Sequence, residues 1–137
     1  MKLFLDAGAF IARAWMEDRY HAAARAMFYA ISSGQMPYRQ LYTSNFVIDE
    51  VVTFLLHEAG PRVAVETLSR IRASPTFRVL HVTEDAERQA DEVFHRYASS
   101  RVSYTDCTTK VLMEREGIDT AFSFDRDIEV LGLTKIP

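Results

Sequence analysis

Apolar and polar positions along this chain switch between two rhythms, short runs that suit buried strands and longer stretches with helical spacing. The first run, Lys2 to Leu5, is a strand candidate that stops at Asp6. A helical stretch follows, and a second one covers about Tyr20 to Ser32, with Ser32-Ser33-Gly34 as its end. Gly34 to Gln40 reads as a loop and Leu41 to Thr43 as a brief strand. Ser44 or Asn45 then caps a helix whose apolar residues run Phe46, Val47, Val51, Phe54 and Leu55. Gly60 ends that helix, and Pro61 starts another that reaches about Arg72. Phe77 to Val82 is rich in β-branched and apolar residues and reads as a strand. Thr83-Glu84-Asp85-Ala86-Glu87 opens a charged helix to about Ala98, and Thr105 is expected to cap the helix that ends at Gly117. Thr120 to Phe124 is a strand, Asp127 to Leu131 a short helix, and Leu133 to Ile136 a last strand. Strands alternating with helices predict an α/β fold whose mostly parallel sheet is covered on both faces.

Composition narrows the setting. The 137 residues, 48% hydrophobic, match one domain with one substantial core, and no linker, repeat or low-complexity segment divides residues 1–137. Cys107 is the only cysteine, so no disulfide can form within the chain. No apolar run approaches the roughly 18 residues of a membrane span. The opening MKLFLDAGAF carries an aspartate where a secretory signal would be apolar, so a cytoplasmic location is expected.

Formal charge is -3 and the pI about 5.8, which argues against holding nucleic acid through a broad positive field. The same balance suits an enzyme that gathers carboxylates around divalent cations, because the ions reverse the potential where a phosphate must sit.

Several acidic residues stand where burial is expected. Asp6 and Asp125 each follow an apolar strand directly, and in a parallel sheet the carboxyl ends of strands open onto the ligand crevice. Glu50 lies four residues from both Phe46 and Phe54, on or beside the apolar stripe of its helix. Asp106 falls in the first turn of its helix, and Asp127 is two residues beyond Asp125. Converging carboxylates suit Mg²⁺ or Mn²⁺, hard ions that take oxygen ligands. Each residue also has a plainer reading. Asp6 alone suits a strand-end turn, and Asp106 a helix start stabilised by the dipole. Asp125 and Asp127 suit the start of a short helix, and Glu50 a buried ion pair with arginine.

Other residues offer less. His21, His57, His81 and His95 share no metal-binding spacing, and Cys107 has no evident base beside it. Trp15, Phe28 and Tyr29 read as core or interface aromatics. Gly8 stands where a haloacid-dehalogenase-type phosphatase would need a second aspartate, and no Gly-rich phosphate loop ends in Gly-Lys-Ser/Thr.

Taken in order, LFLDAGAF, TSNFVIDEV, YTDCTTKVLMEREGI and AFSFDRDIEVLG resemble the four acidic motifs of the PIN-domain family, and of VapC-type toxins within it, over nearly the whole chain. The resemblance implies a three-layer α/β/α sandwich and Mg²⁺- or Mn²⁺-dependent endoribonuclease activity. It implies that Asp6 and Asp106 ligate the metal directly, that Glu50 and Asp125 hold its waters or a second ion, and that Asp127 assists. Ser123 takes the place of a hydroxyl residue that orients the attacking water. As partners it implies an RNA substrate, an antitoxin protein and a second copy of the chain in a homodimer. One departure stands out: Ala7 and Gly8 replace the small polar residue usual after the first aspartate. That keeps two alternatives open, a catalytically weak fold serving as an RNA-binding or protein-interaction module, and an RNA-processing nuclease without an antitoxin.

Overall fold

The computed structural model describes all of residues 1–137. In chain order the elements are β1 (Lys2–Leu5), α1 (Ala7–Ala14), α2 (His21–Ser32), β2 (Gln40–Ser44), α3 (Asn45–Glu58), α4 (Pro61–Ala73) and β3 (Phe77–Leu80). They continue with α5 (Glu84–Tyr97), a single 3₁₀ turn (Ala98–Ser100), α6 (Tyr104–Glu116), β4 (Thr120–Phe122), α7 (Asp127–Val130) and β5 (Thr134–Ile136). The five strands lie in the order β3-β2-β1-β4-β5, and every neighbouring pair is parallel. Helices flank this sheet in a three-layer α/β/α arrangement, as the alternation of elements requires.

Burial follows from the topology. β1 is the central strand, so Leu3, Phe4 and Leu5 are all fully buried, as expected where a parallel strand is covered on both faces. Ala9, Val47, Val51, Leu55, Ala121 and Phe122 join them in the larger core. A smaller cluster, including Ala90, Val93, Val111 and Leu131, fills the space where α5 packs on α6.

Differences from the sequence reading are local and have local causes. β3 stops at Leu80 instead of Val82, because the Val82 N–H is taken by the Asn45 side chain at 2.9 Å. Ser44, not Asn45, caps α3, accepting from the Val47 N–H at 3.0 Å. α6 starts earlier than expected: Ser103 is its cap, and Thr105 lies inside the helix. Along α3 the buried residues are Val47, Ile48, Val51 and Leu55, whereas Phe46 is half-buried and Phe54 exposed. The row Phe46, Glu50, Phe54, at steps of four, is a second face of the helix. Phe46 meets Tyr104 at 6.4 Å between ring centres and Phe54 meets Trp15 at 5.7 Å, with Glu50 between them. Of the early aromatics, Phe28 packs on Phe10 and Phe122, while Tyr29 is 67% exposed.

Candidate active site

The strand order creates the crevice. From central β1 the chain builds β2 and β3 on one side, then crosses to place β4 and β5 on the other. The connections leaving β1 and β4 therefore diverge, and a gap opens at the carboxyl ends of these two strands. Asp6 follows β1 and Ser123-Phe124-Asp125 follows β4, so both segments emerge at that gap. The Asp6 N–H donates to the Phe122 carbonyl at 3.1 Å, which ties the two strand ends together.

Local hydrogen bonds then aim the side chains. Asp6 caps α1, and its Oδ1 accepts from the Ala7 N–H at 2.9 Å while its Oδ2 accepts from the Ser123 hydroxyl at 2.7 Å. Ser123 Oγ in turn accepts from the Asp125 N–H at 3.0 Å, and Asp125 Oδ1 accepts from the Asp127 N–H at 2.9 Å. Short polar side chains that capture the backbone two residues on compete with the sheet ladder, which is why β4 ends at Phe122 and not at Phe124. Ser123 is fully buried and its one proton goes to Asp6. Toward a water it can act only as an acceptor. The positions after Asp6, Ala7 and Gly8, offer it no polar side chain, and from this segment it is the Ala7 backbone N–H that holds its carboxylate.

Asp106 comes from the opposite wall. Ser103 Oγ accepts from its N–H at 3.1 Å, so Asp106 is the third residue of α6, near the positive end of the helix dipole. Together Asp6, Glu50, Asp106, Asp125 and Asp127 line one cleft of about 790 Å³. Carboxylate oxygens of Asp106, Asp125 and Asp127 all lie within 4.8 Å of one another, so the residue expected only to assist belongs to this group, whereas Asp6, expected as a direct ligand, lines the same cleft outside it. Only Asp6 and Asp106 are buried; Glu50 and Asp125, where burial was expected, are exposed to the cleft.

Proton affinity follows from this crowding. Burial, and then the charges of Asp6, Asp125, Glu50 and Asp127, push the Asp106 carboxyl up to about 8. Burial also raises Asp6, against the two hydrogen bonds it accepts. Enclosure by the cleft walls and the charges of Asp6, Asp125 and Asp49 push Glu50 up to about 6, although the residue reaches solvent. Carboxylates that resist ionisation this way gain from a cation in their midst. The donor set is all oxygen and mostly carboxylate, with no imidazole or thiolate among these five residues, so it fits a hard divalent ion and not zinc or copper. Thr109 Oγ1, one turn beyond Asp106 on α6, is a buried hydroxyl with no hydrogen-bond partner.

Sequence reasoning missed the cleft's cationic residues, Arg19, Arg101 and Arg126, together with the paired rings of Tyr20 and Phe124. Nothing in their spacing marks them, since they come from three separate loops. None of the histidines lines the cleft. Cys107 is fully buried, and burial raises its thiol, which removes it as a nucleophile.

Residues 3–132 match the family model for the PIN domain. The chain is 32% identical over 134 residues to a Mycobacterium tuberculosis protein named 23S rRNA-specific endonuclease VapC20, which spans 98% of this chain and 97% of that relative. The crystal structure of Mycobacterium tuberculosis VapC20, described as a Sarcin-Ricin loop cleaving toxin, superposes with a TM-score of 0.88 at 31% identity, covering 98% of each chain. The fold alone is shared with VapBC2 from Rickettsia felis, at a TM-score of 0.71, 8% identity and coverage of 99% of this chain and 98% of that one. On the family match and the near-complete relationship to VapC20, this chain belongs to the PIN-domain family.

Proposed function

We propose that this chain is a Mg²⁺- or Mn²⁺-dependent endoribonuclease, acting as a single domain and serving as the toxin of a VapC-type toxin–antitoxin pair. The observation that carries the reading is the convergence of carboxylates from four separate segments on one cleft, three of them with oxygens within 4.8 Å of one another. The 32%-identical relative, named for 23S ribosomal RNA, and its crystal structure, described as that of a Sarcin-Ricin loop cleaving toxin, support RNA as the substrate and make such an RNA loop the first one to try.

In this reading Asp6 and Asp106 contribute direct ligands, while Glu50, Asp125 and Asp127 hold waters or a second ion. Asp6 keeps spare lone pairs on both oxygens after accepting from Ala7 and Ser123. Ser123 fixes the orientation of Asp6 and, through the Asp125 N–H, the loop that carries the other two aspartates. A bound divalent ion would lower the pKa of a water to a hydroxide-yielding range and screen the charge that develops on the phosphate. Asp106, protonated at neutral pH without metal, would give up that proton when the cation arrives. Ala7 answers the missing polar residue by supplying its backbone N–H, so the cleft keeps an oriented first aspartate.

The test is cleavage of a 23S rRNA loop oligonucleotide by the purified chain, with millimolar Mn²⁺ and with chelator. Cutting that needs the metal supports the reading. Binding without cutting under any divalent ion would overturn it in favour of an interaction module. We further infer an antitoxin partner and a homodimer in the cytoplasm; no helix is long and apolar enough to cross a membrane. Light scattering that gave a monomer at micromolar concentration would remove the dimer.

A further inference from the structure

Three guanidinium groups stand around a cleft full of carboxylates and pair with none of them. Arg19 comes from the loop between α1 and α2, Arg126 from the turn after β4, and Arg101 from the turn before α6. No nitrogen of these side chains lies within 4.0 Å of a carboxylate oxygen, although Asp18, Asp125 and Asp127 are their immediate sequence neighbours. Other exposed arginines, such as Arg13, Arg25 and Arg96, are unpaired as well, so what sets these three apart is their place: they alone among the arginines line the carboxylate cleft.

Arg19 is ordered without spending its charge. Its guanidinium lies 4.6 Å over the Tyr20 ring and donates to the Tyr20 hydroxyl at 2.6 Å. Tyr20 in turn stacks on Phe124, with ring centres 4.5 Å apart and planes 3° from parallel. A cation held by stacking presents its remaining donors already ordered, which lowers the entropy lost when a ligand arrives.

Arg101 adds an independent observation. It is the one non-glycine residue with positive φ, at 58° and ψ 31°, in the left-handed region that a Cβ disfavours. Glycine would relieve the backbone there. An exposed arginine that makes no ion pair contributes nothing evident to the fold in return, and residues kept against local strain concentrate at functional sites.

We propose that Arg101 on one wall, and Arg19 with Arg126 on the other, form a phosphate clamp that holds the RNA backbone on both sides of the bond positioned over the carboxylates. Guanidinium suits this work because its planar fork matches two phosphate oxygens. The clamp also answers the acidic pI: affinity for a polyanion is concentrated at three points around the cleft, where the carboxylates alone would repel it. The inference rests on the ribonuclease reading above, and its test separates the two.

The probe is a fluorescent synthetic RNA stem-loop, followed by initial cleavage rates in Mn²⁺ and by anisotropy across a series of KCl concentrations. Arg101→Gly and Arg126→Ala should each raise KM and the anisotropy Kd about five- to tenfold, with the larger part of the kinetic loss in KM, and should reduce the salt slope by about 0.7 per lost single-strand phosphate contact. Arg19→Ala should do the same. Arg101→Lys should keep most of the slope, and Arg62→Ala, which removes the same charge far from the cleft, should change neither quantity. Arg101→Gly should melt at the same temperature as the parent or up to about 4 °C higher, an outcome opposite to that of a structural arginine. Unchanged KM, Kd and slope in the cleft variants would overturn the clamp. Arginine-dependent binding by a parent that never cuts would leave the clamp standing and sink the ribonuclease reading instead.

Discussion

Two neighbouring helices, α5 and α6, each begin with an aspartate in the first turn, and the two aspartates behave in opposite ways. Asp85 on α5 lies at the surface, where a 2.6 Å hydrogen bond from Arg115, and then that group's charge, hold its carboxyl below the usual range. Asp106 on α6 has the same dipole behind it and a serine cap as α5 has a threonine cap, yet its carboxyl is pushed up to about 8. The dipole is worth about 0.3–1 kcal/mol at such positions. Burial among four other carboxylates outweighs it. A helix start tolerates an acid cheaply, but only surroundings decide whether that acid is an ordinary surface charge or a group that needs a cation.

The largest break in this comparison should come from Asp6→Asn or Asp106→Asn. Both should lower metal-dependent RNA cleavage on the order of hundred-fold or more, because an amide keeps the shape and loses the charge that balances a divalent ion. The metal-free Asp106→Asn protein should meanwhile be more stable than the parent by about 1–2 kcal/mol at pH 8, since it no longer carries a buried charge among like charges. Chemical denaturation reads the second effect. A loss of stability there would mean that Asp106 has a structural cationic partner.

Metal and pH sharpen the same contrast. The folded pKa of Asp106 lies above its unfolded value, so the folded state binds the proton more tightly. This group's contribution to stability is complete below about pH 4 and is lost as pH rises toward about 8. Glu50 adds a shorter window in the same direction, closing near 6. Melting of the metal-free protein should therefore fall between pH 5 and 8 through this cleft, and Mn²⁺ should restore it most at pH 8. At a hundred times its Kd the ion would add about 2.7 kcal/mol, a rise on the order of 10 °C. A Mn²⁺ effect equal at pH 5 and pH 8 would contradict the assignment.

Smaller effects are expected from the supports. Ser123→Ala removes the buried donor to Asp6 and the half-buried acceptor of the Asp125 N–H, and should cost about 1–3 kcal/mol in stability together with about tenfold in cleavage. Gly8→Ser should fold well, since a Cβ at position 8 meets no atom within 4 Å. It should raise stability by about 0.5 kcal/mol through helix propensity and place a hydroxyl at the cleft, giving cleavage at or above the parent level. Least of all should come from Asp85→Asn, a slight fall in melting temperature that vanishes in high salt, with cleavage untouched.

How much of this was legible depended on range along the chain. The parallel α/β fold followed from strand-like runs alternating with helical ones, because those periodicities are properties of contiguous residues. Asp6, Glu50, Asp106, Asp125 and Asp127 were legible as candidates by position relative to those runs, and the order of four motifs pointed to the family. The ends of β3 and β4 were not legible, since Asn45 and Ser123 compete for backbone groups that a strand pattern assigns to the sheet. The cap of α6 was misplaced because Ser103 and Thr105 are both sound caps by composition, and in the structure it is Ser103 that accepts from the Asp106 N–H.

Local pattern by itself determined which segments become strands and helices and delivered carboxylates to strand ends and helix starts. Only the tertiary structure decided which of those carboxylates are buried together, that Ser123 reaches across 117 positions to hold Asp6, and that three arginines from unrelated loops remain unpaired around them. The physical reason is that desolvation and Coulomb repulsion depend on distance in space and on the medium between charges, and a strand order of β3-β2-β1-β4-β5 brings together groups that the chain keeps far apart.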